Sequence, residues 1–348
     1  MKYSLVQKYL FFLIIGVLSL YSCRQSATTS RPDVSHIDVD VKIERFDREL
    51  AALEPRDVLS QNNLWQQQYG DFYRDYMLEM LEIGHPFDSL YIQDVLGKVI
   101  QKRDFIDLSA AVAAKYPDMA AQEAELQRAL QYLKYYFPAY EVPRFITFVG
   151  GFSFQTPLGN DYVGIGLDMF LGADSEFYPA LIKSIPLYVS RRFTPENIVP
   201  RVIETILREE IYPQEDGSVN TLSHMLYNGK ILYAMDCILE EVSDETKIGY
   251  TAEQLAWAQR HEQDVWSWFV QGDLLYSTDY LRTQKYFSEA PFTPELCENN
   301  ESAPKLGSYV GWMMVRKYMQ NHPEMELKEL FAIEDAQQVL EASKYRGE

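Results

Sequence analysis

The chain has 348 residues, 47% of them hydrophobic, and carries a formal net charge of −19. That length and apolar content suffice for one large core. The acidity argues against nucleic-acid binding, which needs basic patches, and against adhesion to anionic lipid.

The amino terminus reads as a targeting segment. Lys2 and Lys8 flank the start, and an apolar run follows from Tyr9 to Leu20. The run is short for a membrane span and suited to a signal-peptide core. It ends in Leu20-Tyr21-Ser22-Cys23, which resembles a lipobox, with a small residue before the cut and a thiol to acylate. The expectation is a signal peptide over 1–22, a lipidated Cys23 with a polar tether over 23–35, and one globular domain over 36–348.

Ile37, Val39, Val41 and Ile43 alternate with Asp38, Asp40, Lys42 and Glu44, the period of a half-buried strand. Arg45-Phe46-Asp47 then leads into a helix. Leu64, Trp65, Tyr69, Phe72, Tyr73, Tyr76, Met77 and Met80 form a helical stripe that reads as core, broken at Gly84-His85-Pro86. Helices are expected over 88–102, 106–115 and 118–137. Beyond Pro138 the segments 144–149 and 162–167 are β-rich, with a turn at 156–161 between them, so a hairpin is expected. Gly164 and Gly166 lack the helix start and Lys of a phosphate loop, and read as sites of a strand bend or close backbone approach.

Pro179, Pro186 and Pro195 punctuate a loop-rich stretch that ends in two helices, 196–211 and 220–239, around an acidic turn. The second helix has an apolar face with Leu222, Met225, Leu226, Gly229, Leu232 and Tyr233, and either Ser218 or Asn220 as its cap. His224, Lys230 and Asp236 lie on its other face. Thr251-Ala252-Glu253-Gln254 is a capping box. It opens a helix with Leu255, Ala258, Glu262, Trp266 and Phe269 at helical spacing. Another apolar helix, capped by Ser308, runs to Met319, and short helices over 327–331 and 336–342 close the chain. The pattern is α+β, mainly helical with a small central sheet. Cys237 and Cys297 read as buried free thiols, and an oxidising envelope would also allow a disulfide.

A helical zinc site needs two imidazoles at i and i+4 with a Glu between them. The five His stand at 36, 85, 224, 261 and 322, no two within ten residues. In the first helix of the pair, Glu204 and Arg208 are spaced as an ordinary ion pair, and Arg208 would repel a divalent cation. No calcium loop and no Gly-x-Ser-x-Gly occurs. With 51 acids, paired carboxylates carry no signal for glycoside chemistry. Two alternatives to a non-catalytic protein remain: an atypical hydrolase using His224 and His261, and a glycan-binding module suggested by the Trp and Tyr content.

Several motifs carry a resemblance. They are Arg45-Phe46-Asp47, Pro143-Arg144-Phe145-Ile146-Thr147, Gly166-Leu167-Asp168-Met169-Phe170-Leu171-Gly172, Tyr227-Asn228-Gly229-Lys230-Ile231-Leu232-Tyr233, Gly249-Tyr250-Thr251-Ala252-Glu253-Gln254, Ala290-Pro291-Phe292 and Ser343-Lys344-Tyr345. Together with the lipobox, over nearly the whole chain, they resemble the gliding motility lipoprotein family GldB of Bacteroidetes. The resemblance implies a palmitate-type lipid anchor in the cell-envelope membrane, facing the periplasm, and partners in the motility and secretion apparatus. The strand, helix and Gly-Lys-Ile-Leu-Tyr helix are more distantly similar to predicted zinc-dependent peptidases, whose first helix carries His-Glu-x-x-His. Here that helix has no His, and Asn228 stands at the position of the ligand Glu. This second likeness implies a degenerate zincin-like scaffold, a pseudo-peptidase without metal or cofactor. Its cleft would lie between the helix pair and the 162–167 strand, lined by Glu204, Arg208, His224, Asn228 and Lys230.

Overall fold

The computed structural model describes residues 31–214, 220–296, 299 and 301–347. The expected signal peptide, Cys23, Ser218 and Cys297 lie outside these residues. Residues 37–348 cluster as one unit.

Val39, Val41 and Ile43 are buried while Asp38, Asp40 and Lys42 face solvent, as a period of two requires. Only Ile43–Glu44 (β1) joins a ladder. β1 pairs with Arg144–Phe148 (β2), which pairs with Tyr162–Gly166 (β3), and both pairings are parallel. The hairpin expected from β2 to β3 is therefore corrected: Arg144 lies opposite Tyr162, and Phe148 opposite Gly166. The antiparallel neighbour of β3 is the arm 155–159, whose Gln155 and Pro157 carbonyls accept from the Gly166 and Gly164 amides at 2.9 and 2.8 Å. Two β-rich runs around a Pro-Gly turn fit either topology. The glycines decide it, because a Cβ on Gly166 would stand 2.3 Å from the Phe154 carbonyl oxygen. Close backbone approach, not strand bending, is what these glycines allow.

Phe46–Ala51 (α1), Val58–Tyr69 (α2) and Asp71–Asp75 (α3), which continues as a π turn over Tyr76–Met80, build an aromatic core beneath the sheet. Phe46 is its hub. It meets Trp65, Tyr69, Phe72, Tyr73 and Tyr76 edge-on, with ring centroids 5.0 to 5.9 Å apart. Such pairs add to the burial of their large apolar area. The stripe expected from the sequence is core as read, except that Leu64 is 50% exposed. Ser89–Val99 (α4) begins at an Asp88 cap, and Arg103–Lys115 (α5) and Ala120–Tyr136 (α6) follow.

The second half is helical. Ile198–Ile206 (α7) ends in a π turn over Leu207–Ile211, and Thr221–Ile238 (α8) starts at Asn220, whose side chain accepts from the Ser223 amide. Asp244–Ile248 (α9) precedes Ala252–Arg260 (α10), where Thr251 and Gln254 form the expected capping box. The single helix expected after Thr251 breaks at His261 and restarts as Glu262–Gln271 (α11). Glu262 is buried beyond the break, accepting from the Tyr309 and Tyr345 hydroxyls at 2.9 and 2.8 Å. Leu306–Asn321 (α12) follows Lys305, which is in the left-handed region (φ 49°), so Ser308 lies inside the first turn and is not the cap. Leu327–Ala332 (α13) and Ala336–Ser343 (α14) end the fold.

α8 packs most extensively on α12, not on α7. The two helices touch backbone to backbone: a Cβ on Gly229 would stand 2.2 Å from the Gly311 oxygen, and one on Gly311 would stand 1.9 Å from the Met225 oxygen. The face of α8 opposite its apolar stripe is tied into the fold by ion pairs. Asp236 accepts from Arg316 at 2.7 and 2.8 Å, from the Trp312 indole at 2.8 Å and from Lys247 at 3.0 Å. Arg316 also forks onto Asp244 at 2.8 Å. Such bidentate pairs fix geometry as well as charge. Among the described residues no helix is long and apolar enough to cross a membrane.

Candidate functional site

The spacing of α7 places Arg201, Glu204 and Arg208 on one face. Arg201 Nη1 lies 2.5 Å from Glu204 Oε2, and Arg208 Nε donates to Glu204 Oε1 at 2.9 Å. Arg208 Nη2 then reaches Asn228 Oδ1 on α8 at 3.3 Å, and its guanidinium lies 5.6 Å from the centre of the Tyr227 ring. Asn228 Nδ2 in turn donates to the His224 carbonyl at 2.9 Å. The sequence-derived residues Glu204, Arg208 and Asn228 thus meet in space. Burial favours protonation of Glu204, but Arg201 and Arg208 outweigh it and hold its pKa at about 2. Burial works against the charge of Arg208 as well, and Glu204 more than restores it.

His224 and Lys230 have other partners. His224 Nδ1 is 3.1 Å from Gln214 Nε2, its ring lies 5.4 Å from that of Phe287, and burial lowers its pKa. His261 pairs instead with Asp264 at 3.4 Å and lies against Trp257. Lys230 is fully buried. Its Nζ donates to the Tyr212 hydroxyl at 3.0 Å and to the Phe331 and Ile333 carbonyls at 3.3 and 2.5 Å. Burial lowers its pKa to about 8.

Between the helix pair and β3 the returning arm meets α7, where Thr156 Oγ1 lies 2.7 Å from Thr205 Oγ1. Open space lies against α8, in a cavity of about 460 Å³ bordered by Tyr212, Gln214, Ser223 and Tyr227, and at the far end of α7. A cavity of about 740 Å³ is bounded by residues 137–144, by Asn160 and Asp161 before β3, by Glu210 and Ile211, and by Lys328. None of the five expected lining residues borders it. Among the described residues, no three His, Cys, Asp or Glu side chains converge on a point that could hold a metal. The Cys237 thiol is free, and burial pushes its pKa up to about 12, where a thiol is unreactive at neutral pH.

Beside Glu204 lies a second carboxylate that sequence reasoning missed. Glu289 Oε1 receives Lys305 Nζ at 2.8 Å and stands 3.0 Å from Arg192 Nη2. Its partners come from positions about a hundred residues apart, and no local spacing announces them.

Residues 27–347 match the family of the gliding motility protein GldB. The chain belongs to the GldB family. None of the curated proteins and none of the solved structures matches it. Membership ties the chain to gliding motility and to the cell envelope. The motifs that carry the resemblance serve mostly as frame. Arg45 forks onto Asp47 at 2.8 and 2.7 Å, Asp47 accepts from Thr147 at 2.5 Å, and Arg144 forks onto Glu44 at 2.8 Å, so β1 is tied to β2 by side chains as well as backbone. Asp168 is buried and accepts from the Phe152 and Gly150 amides at 2.7 and 3.3 Å. Burial raises its pKa to about 6 against the pull of those amides. Gly229, in the motif on α8, is the residue that lets α12 approach.

Proposed function

We propose that this GldB-family protein is a non-catalytic lipoprotein, held in the envelope through Cys23 and facing the periplasm, that acts by binding proteins of the motility and secretion apparatus. One observation carries the reading. Glu204, Arg208 and Asn228, which a peptidase likeness would set at ligand positions, are joined by hydrogen bonds into one ion-paired unit. A guanidinium remains charged at any working pH and offers no lone pair to a metal. It also neutralises the one carboxylate of the set, leaving no general base of the kind peptide hydrolysis needs. The alternatives gain no support. His224 and His261 share no hydrogen-bond partner. Trp65, Trp257 and Trp312 are buried, so three of the five tryptophans are used in packing, and Trp268, 36% exposed, donates to the Tyr286 hydroxyl. Metal analysis of the purified full-length protein, with a broad peptidase assay, tests the proposal. Substoichiometric zinc and no cleavage are expected. Zinc at one equivalent, or cleavage abolished by Glu204→Gln, would overturn it.

A further inference from the structure

The surroundings of Glu204 run against the charge of the rest of the molecule. In a chain of net charge −19, four cations gather around two carboxylates. Arg201 and Arg208 share Glu204, and Arg192 and Lys305 share Glu289. The two pairs are one cluster: Lys305 also acts on Glu204, and Arg201 on Glu289, through their charges. The balance within the cluster is +2. Excess charge of one sign in a half-buried setting is costly unless a counter-ion completes it.

Arg192 shows the deficit atom by atom. Its side chain is 14% exposed, and its Nη2 faces Glu289. Its Nε and Nη1 are buried with no hydrogen-bond partner. Gly249 makes room for this guanidinium: a Cβ there would stand 2.1 Å from Nη1. Buried donors are almost always paired in native proteins, so unpaired ones mark an incomplete site. Arg201 and Arg208 remain about 30% exposed and connect the cluster to solvent. Glu289, at 37%, is the more open of the two carboxylates.

We propose that this cluster, formed by Arg192, Arg201, Arg208 and Lys305, binds a carboxylate of a protein partner, which enters beside Glu289 and lowers the excess positive charge. The ligand class follows from the donors. Each pair of cations already clasps one carboxylate, and guanidinium forks match carboxylate geometry. The inference rests on the protein-binding reading above and specifies the chemistry that the partner brings.

The test uses full-length protein in mild detergent and fluorescein-labelled peptides. One is amidated hexaglutamate, one is amidated hexaglutamine, and one is hexaglutamine with a free carboxyl terminus. Saturable binding of either carboxylate-bearing peptide, and none of the amidated hexaglutamine, is expected. Which of the two binds distinguishes a side-chain carboxylate from a chain end. Arg201→Gln should weaken binding at least tenfold, whereas Glu289→Gln should tighten it severalfold by removing a like charge beside the bound carboxylate. The opposite signs separate a binding role from a structural one, since mere loss of fold would weaken both variants. Thermal unfolding with and without peptide checks that each variant is folded and liganded. No binding by either wild type or Glu289→Gln overturns the proposal, as does binding of inorganic phosphate when both carboxylate peptides fail. Those results leave the zinc and peptidase assays untouched, so the two readings fail separately.

Discussion

Glu204 stays ionised where burial alone would protonate it. In the folded chain Arg201 and Arg208 hold its pKa at about 2, against an ordinary value of 4.5. A depressed carboxylate stabilises the fold above the unfolded pKa, and that contribution is lost as pH falls toward the folded one. Its stabilisation is therefore complete above pH 4.5 and disappears between 4.5 and 2, an effect of up to about 3 kcal/mol. Urea unfolding of wild type and Glu204→Gln should show wild type more stable at pH 6, with the gap narrowing by pH 3. A gap independent of pH would refute the assignment. The bond to Arg208 is legible in the sequence because i and i+4 meet on any helix. The bond to Asn228 is not, because it depends on how two helices cross. Lys230 shows the limit more sharply. It was expected to line a cleft, yet the fold buries it completely by supplying the carbonyls of Phe331 and Ile333, a hundred residues further on.

Among the elements, α8 and α12 depend most on each other. Side chains normally keep helix axes 8 to 10 Å apart, and the Gly229 and Gly311 contact brings these two closer than a Cβ would permit. Ala is a better helix former than Gly by about 1 kcal/mol, so a change at an uncrowded site should stabilise. Gly97 in α4 is such a site, with its nearest neighbour 4.0 Å from a built Cβ. Gly97→Ala is expected to be neutral or stabilising by up to about 1 kcal/mol. Gly311→Ala should cost roughly 1–3 kcal/mol, because the helices must part. Equal effects at the two positions, measured by urea unfolding, would contradict the crossing. The helices themselves were readable from spacing, and the Asn220 cap and Thr251 box were readable because caps are local. The pairing of strands was not. Phe145 and Val163 fit a hairpin by composition, and only the place taken by the arm 155–159 makes their pairing parallel. The long helix expected after Thr251 failed at His261 for a related reason: buried tyrosines on α12 and after α14 accommodate Glu262 once the helix turns.

At the scale of the molecule, residues 37–348 are one unit. The aromatic core of the first half packs beneath the sheet, and the glycine crossing organises the second. The arm 155–159 links them through Thr156 and Thr205. Near-ultraviolet circular dichroism, which reports the packed aromatic rings of both halves, and far-ultraviolet circular dichroism, which reports the helices, should therefore lose signal at the same urea concentration. Separate midpoints would show that the unit does not unfold in one step. The parallel sheet also has a consequence for the order of events during synthesis. β1 finds its partner only when residues a hundred positions later have been made, since Ile43 pairs with Phe145 and β3 ends at Gly166. Contacts of such long range form slowly. Until nearly half the chain has emerged from the ribosome, the rings around Phe46 have no sheet to rest on. The nascent protein therefore presents part of this aromatic core early and covers it late, and transiently exposed apolar surface of that kind favours aggregation.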